Sequence, residues 1–270
     1  MTDKRPETMQ PDAKAGFEEL LEDLFGLNIR SFQSFKTLFT SPVRYFNAAK
    51  TLDWGRQSFT PSPRLWLGLI AITAATRFFW GEADGAFMQA MSAQAEAGFN
   101  AGAGDKASEI VQIDWDQSLQ EMFDITLIIE PFFMVVIMML LATFIRFWGE
   151  PLTYVVRLRY LFAIIIPATL VNLVLTILVV MAPKNWIVTL SILQIGVMVG
   201  LYTMTALRGP FAGQPLDSAV PKSIVLMLIL FVSVFVANLL ASLIAMTIVI
   251  APDAIEAARA AKDAGLLQAP

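Results

Sequence analysis

The sequence predicts an all-α fold: a polytopic transmembrane helical bundle of about five spans, with amphipathic helices before span 1 and between spans 1 and 2. Three observations carry that expectation. Five long apolar stretches fill most of the chain beyond residue 64. The charges between them alternate in character from one connection to the next. Finally, the composition is 56% hydrophobic and 16% charged, with a mean hydropathy of +0.62, whereas an ordinary soluble domain carries about 25% charged residues.

The polar stretch 1–14 contains Pro6 and Pro11 and reads as a disordered tail. Residues 15–64 read as cytoplasmic amphipathic and interfacial helices. Phe17, Leu20, Leu21, Leu24 and Phe25 recur at helical spacing opposite Glu18, Glu19, Glu22 and Asp23. An acidic polar face is unfavourable beside an anionic leaflet, so this helix is expected to dock on protein. The run Ile29 to Phe39 places Phe32, Phe35, Leu38 and Phe39 on one side and includes Arg30 and Lys36, which suits the membrane interface. Ser41-Pro42 then supplies a cap and a first-turn proline for a short helix from Val43 to about Leu52. Trp54, Phe59 and Trp66 sit where aromatic anchors belong, at the entry to the first span.

The spans are expected at Leu65 to Trp80, Phe123 to Trp148, Tyr160 to Ala182, Trp186 to Leu207 and Ile224 to Ile250. A hydrocarbon layer of about 30 Å asks for about 20 apolar residues in helical form. The last four stretches meet that length. The first is shorter and carries Arg77 near its far end, where a long side chain can bring its charge to the headgroups while its stem stays in lipid. Together they make a membrane unit over 65–250, with an outer-face segment at 82–122 and an outer-face polar tail at 251–270.

Orientation follows from where the bases fall. Lys36, Arg44, Lys50, Arg56 and Arg64 precede span 1 against Asp53 alone. The next connection holds Glu82, Asp84, Glu96, Asp105, Glu109, Asp114, Asp116 and Glu121 against Lys106, and the following one has Arg146, Arg157 and Arg159 against Glu150. The short loop after span 3 holds Lys184, and the loop after span 4 holds Arg208 and Lys222 against Asp217. Lys and Arg in short loops stay cytoplasmic. Five crossings then place the N-terminus in the cytoplasm and the C-terminus outside, in the periplasm if this is a bacterial inner membrane protein. Arg259 and Lys262 in the mixed-sign tail run mildly against that layout. The first sixty residues show no apolar core followed by a small-residue cleavage site, so no secretory leader is read.

Chemistry is narrowed by absence. The chain has no cysteine and no histidine, which removes disulfides, thiolate nucleophiles, imidazole bases and zinc or haem ligation by this chain. The Gly98 to Asp105 stretch lacks the Lys-Ser/Thr pair of a phosphate loop, and the acids from Asp105 to Glu121 do not keep the spacing of a calcium loop. No cofactor, metal or nucleic-acid partner is expected. Polar residues within the spans are the remaining places for function, because immersing them in lipid is expensive. They are Arg77, Asp124, Glu130, Asn172, Gln194 and Asn238, with Glu130 preceding Pro131. If Glu130, Asn172 and Asn238 face a common interior, with Arg77 as an ion-pair partner, they form either a small polar site or structural glue. Small residues at four-residue spacing, Ser233, Ala237, Ala241 and Ala245 in span 5 and Gly196 with Gly200 in span 4, permit close helix contact inside the bundle or with another subunit.

Two short runs resemble a known family. The stretch Leu38-Phe39-Thr40-Ser41-Pro42-Val43-Arg44-Tyr45-Phe46, some twenty residues before the first span, is similar to the opening of bacterial Yip-type membrane domains. So is Trp148-Gly149-Glu150-Pro151-Leu152-Thr153-Tyr154, leading through Arg157 and Arg159 into the third span. The resemblance extends from Leu38 to Ile250 and implies a five-span bundle with a cytoplasmic N-terminus and no catalytic residues to transfer. The long acidic segment from Ala83 to Glu121 departs from that compact pattern. The expected function is non-catalytic: binding or organising other membrane proteins within the bilayer, as a homo- or hetero-oligomer. The alternative is a secondary transporter or lipid-handling permease with a small polar site in the bundle. A metal-dependent membrane enzyme built on Asp124 and Glu130 is a third and thinner reading, since neither acid has a second ligand near it in sequence.

Overall fold

The computed structural model describes residues 28–51, 54–80, 92–93, 96–97, 114–146, 151–180 and 184–263. Among the described residues the chain is helical and contains no strand. The elements are α1 (Ile29–Thr40), α2 (Pro42–Ala49), α3 (Trp54–Gln57), α4 (Ser62–Trp80), α5 (Trp115–Phe144), α6 (Tyr154–Val180), α7 (Lys184–Arg208) and α8 (Leu216–Asp263). The acidic run Phe17 to Phe25 and most of the segment between α4 and α5 lie outside the described residues.

Local chemistry sets the helix ends. Asn28 caps α1 by accepting from the Ser31 amide at 3.2 Å while the Ser31 hydroxyl accepts from the Asn28 amide, a reciprocal box. Pro42 starts α2, where its missing N–H loses nothing. Asp114 caps α5 through the Gln117 amide at 3.1 Å, two turns before the apolar stretch expected at Phe123. Proline lies inside α5, α6 and α8, which neighbouring helices make tolerable within a membrane.

Four helices are long and apolar enough to cross a membrane, over Gln117–Phe144, Tyr154–Leu178, Val188–Arg208 and Leu216–Ile250. They coincide with the last four expected spans, and the chain is a multi-pass membrane protein. Their outward faces carry large apolar side chains such as Ile128, 77% exposed, together with Phe144, Val188, Ile192 and Phe235. So much unpaired apolar surface is tenable in lipid and untenable in water. The last helix exceeds its expected bounds. It begins at Leu216 and runs on to Asp263, so the stretch 251–263 that reads as a polar tail continues the helix.

α5, α6, α7 and α8 form the bundle, with α5 against α8 as the most extensive seam and α4 laid along α6. From Tyr160 to Ala168 every residue of α6 is buried. An all-round buried helix is a central one. α1, α2, α4, α5 and α7 all pack against α6. The short helices α1 and α2 therefore cap one end of the bundle. This is a closer association than the interface placement expected for Ile29 to Phe39: Phe35 and Leu38 turn inward, and Ile29, Phe32 and Phe39 stay outside.

Candidate functional site

The polar residues within the spans do not meet in one place. Asn238 on α8 and Tyr202 on α7 are both neighbours of the Glu130 carboxylate on α5. Glu130 is half-buried and Tyr202 buried, while Asn238 is exposed toward the lipid side. Gln194 on α7 instead donates to Asn172 and, at 3.2 Å, to Thr176, both on α6. Glu130 with Asn238 and Asn172 with Gln194 thus form two polar pairs on different helix seams. The cause is rotation about the helix axes: the packing turns Asn172 toward α7 and Glu130 toward α8. Asp124 is exposed six residues before Glu130, an offset that places the two acids on different faces of α5. No group of three or more Asp or Glu able to hold a metal occurs among the described residues. The Arg77 side chain lies outside the described ones.

The small-residue stripes also separate. Ser233, Ala237, Ala241 and Ala245 are all buried in the bundle. With Glu130 beside Asn238 in an antiparallel pair, Met134 comes to the level of Ser233 and Thr126 to the level of Ala241. Large or polar residues of α5 thus meet small ones of α8, which permits a close approach. Gly196 and Gly200 face outward, and a Cβ added at either would find nothing within 4 Å. That face of α7 is left open.

Sequence reading missed the end of the bundle where α1 and α2 sit. Three arginines that read only as topology signals each bind the carbonyl end of a helix. Arg157 donates to Thr143 and Ile145 at the end of α5 (3.2 and 3.3 Å), and Arg159 to Ala49 and Thr51 after α2 (2.9 and 2.8 Å). Arg208 donates to Phe39 and Thr40 at the end of α1 (3.3 and 3.0 Å). The last helical carbonyls lack internal partners and carry the negative end of the helix dipole, which each guanidinium satisfies twice, through Nη1 alone in Arg157 and Arg159 and through both terminal nitrogens in Arg208. Arg159 also stacks over Trp54, 4.9 Å from the ring centre.

Hydroxyl groups close the same end. Ser31 shares a hydrogen bond with Thr60 at 3.0 Å, the Ser34 hydroxyl accepts from the Thr60 amide at 2.9 Å, and the Ser62 hydroxyl donates to the Arg159 carbonyl at 2.6 Å. Tyr45 donates to the Thr60 carbonyl at 2.7 Å between the Trp54 and Phe59 rings. Burial pushes the ionisation of Tyr45 well above the usual tyrosine range. The spacing of Ser31 and Ser34, one turn apart on an otherwise apolar face, is the sequence signal that could have found this seam. Phe46 completes the junction, its ring edge-on to Tyr160 with centres 4.8 Å apart.

No family model, no curated protein and no solved structure matches the chain.

Proposed function

We propose that this chain is a non-catalytic, five-span protein of a bacterial inner membrane that binds or organises other membrane proteins through its transmembrane helices. The observation that carries the reading is the open face of α7, where Gly196 and Gly200 offer a flat approach that no described residue covers. Helices associate in lipid through such faces, because packing replaces the hydrophobic effect as the driving force. The polar pairs support it as well. Each closes on another polar group of the bundle, whereas transport draws on ionisable groups aligned along a path and on paired broken helices.

The fifth crossing is assigned to α4. Ser62 at its start bonds Arg159 at the basic end of the bundle, and α5 finishes at that same end beside Arg157. The chain has to reach the far end between them. The 19 residues of α4 rise about 28 Å at 1.5 Å each, close to the hydrocarbon thickness. With the basic end cytoplasmic, the N-terminus lies inside and α8 emerges on the periplasmic side. This is the layout that the Yip-type resemblance implies.

The test is recovery of a complex. Gly200→Leu has room for its side chain, so the fold should survive while the docking face is filled. Purified in mild detergent from its native host, the wild-type chain should run as a larger assembly that the variant loses. A chain that runs alone at every expression level overturns the reading. The second reading, a transporter or lipid-handling permease, is favoured by Glu130, an ionisable side chain at mid-span beside Asn238. Glu130→Gln separates the two, since it abolishes transport and leaves the assembly in place.

A further inference from the structure

We propose that the groove between α1 and α2 binds the phosphate of an anionic phospholipid from the leaflet at the basic end of the bundle. The groove has a volume of about 490 Å³ and is lined by Phe32, Gln33, Lys36, Thr37, Thr40, Ser41 and Arg44. Its two charged side chains are both basic. The stretch from residue 28 to residue 64 holds a single acid, Asp53, and it is not in the lining.

The lining also offers hydrogen-bonding side chains, Gln33, Thr37, Thr40 and Ser41. Thr37, only 8% exposed, lines the groove and places a hydroxyl-bearing side chain in its wall. The α2 N-terminus opens at the same place. Ser41, its cap residue, makes no side-chain capping bond, and Pro42 brings no donor of its own. The positive end of a helix, a lysine, an arginine and a threonine side chain together suit a phosphate oxygen cluster.

The position of the groove selects a lipid as the source. α1 is bonded to Thr60 through Ser31 and Ser34, and Ser62 is bonded to Arg159, so the groove lies at the level where α4 begins. Leu67, five residues further along α4, is the first large apolar side chain of that helix to face outward. Five residues rise about 7.5 Å, which is the depth of a headgroup layer. Beside the groove Phe32, 56% exposed, Phe39 and Val43 face away from the bundle, where acyl chains would cover them. This inference depends on the membrane placement of the bundle and is independent of the partner proposed for α7.

The experiment uses full-length protein in detergent, with native mass spectrometry after addition of phosphatidylglycerol or of phosphatidylcholine with the same acyl chains. The wild-type chain is expected to retain phosphatidylglycerol at least about tenfold better. Lys36→Gln with Arg44→Gln should remove the preference. Because Arg44 also lies 5.8 Å from the Phe59 ring centre, Thr37→Val and Lys36→Gln are measured singly, and each should weaken retention about three- to tenfold with an unchanged melting temperature. Equal retention of the two lipids by the wild-type chain, or full retention by the double variant, overturns the proposal. Displacement of the lipid by millimolar inorganic phosphate also overturns it, because the site then takes a soluble anion.

Discussion

The junction of Phe46 with Gly209 offers the sharpest test of how the amino-terminal cap is held on the bundle. Phe46 is 2% exposed, and Gly209 follows the last residue of α7. A Cβ built at Gly209 would lie 2.7 Å from the Thr205 carbonyl oxygen and closer still to the Phe46 ring. The ring is fixed against Tyr160 and cannot swing aside. Gly209→Ala therefore overpacks the junction, at about 1–3 kcal/mol. Phe46→Ala leaves a cavity instead, at about 3–5 kcal/mol. In the double variant the ring that the added methyl would strike is gone and the methyl partly fills the space, so the combined loss should fall short of the sum by about 1 kcal/mol or more. Titration from mild detergent into dodecyl sulfate, followed by the fluorescence of buried Trp54 and Trp66, reports the unfolding of this end. Additivity within about 0.5 kcal/mol would mean that the two positions do not touch, and the docking of α2 on α7 derived from them would be wrong.

Three further outcomes are expected. Arg159→Gln removes two charge-assisted bonds to the carbonyls of Ala49 and Thr51 and should loosen the cap by about 1.5–3 kcal/mol, seen as faster proteolysis within 28–60 while the bundle stays intact. Tyr45 ionises at a higher pH folded than unfolded, so its stabilising effect is full below pH ~10 and declines as pH rises beyond it. Tyr45→Phe should be less stable at neutral pH, for want of the bond to Thr60, yet should lose this alkaline dependence; an identical alkaline decline in both chains would refute the assignment. Gln194→Leu breaks the link to Asn172 and Thr176 and should lower the stability of the α6–α7 pair by about 0.6–2 kcal/mol, measured by the same detergent titration.

Four of the five apolar stretches correspond to helices of membrane-crossing length, and the helix starts at Asn28 and Pro42 are written in local residue chemistry. Those features depend on a residue's own solvent or on neighbours three or four positions away. The site was less legible. Glu130, Asn172 and Asn238 are polar residues of similar promise in sequence, yet Asn172 pairs with Gln194 and Asn238 with Glu130. Likewise Gly196-x-x-x-Gly200 and the Ser233 to Ala245 stripe look alike in one dimension, and one faces outward while the other is covered.

By itself the sequence determined that the chain is helical, that it is immersed in lipid, and which end of the bundle gathers the bases, because hydrocarbon acts on each segment separately through its length and charge. Only the tertiary structure decided that Arg157, Arg159 and Arg208 finish three helix ends, that the polar residues pair on two separate seams, and that no described residue covers the α7 glycines. The physical reason is that partnership depends on the rotation and relative height of packed helices. Those are fixed by the sum of many side-chain contacts such as Phe46 on Tyr160, none of which a single stretch of chain contains.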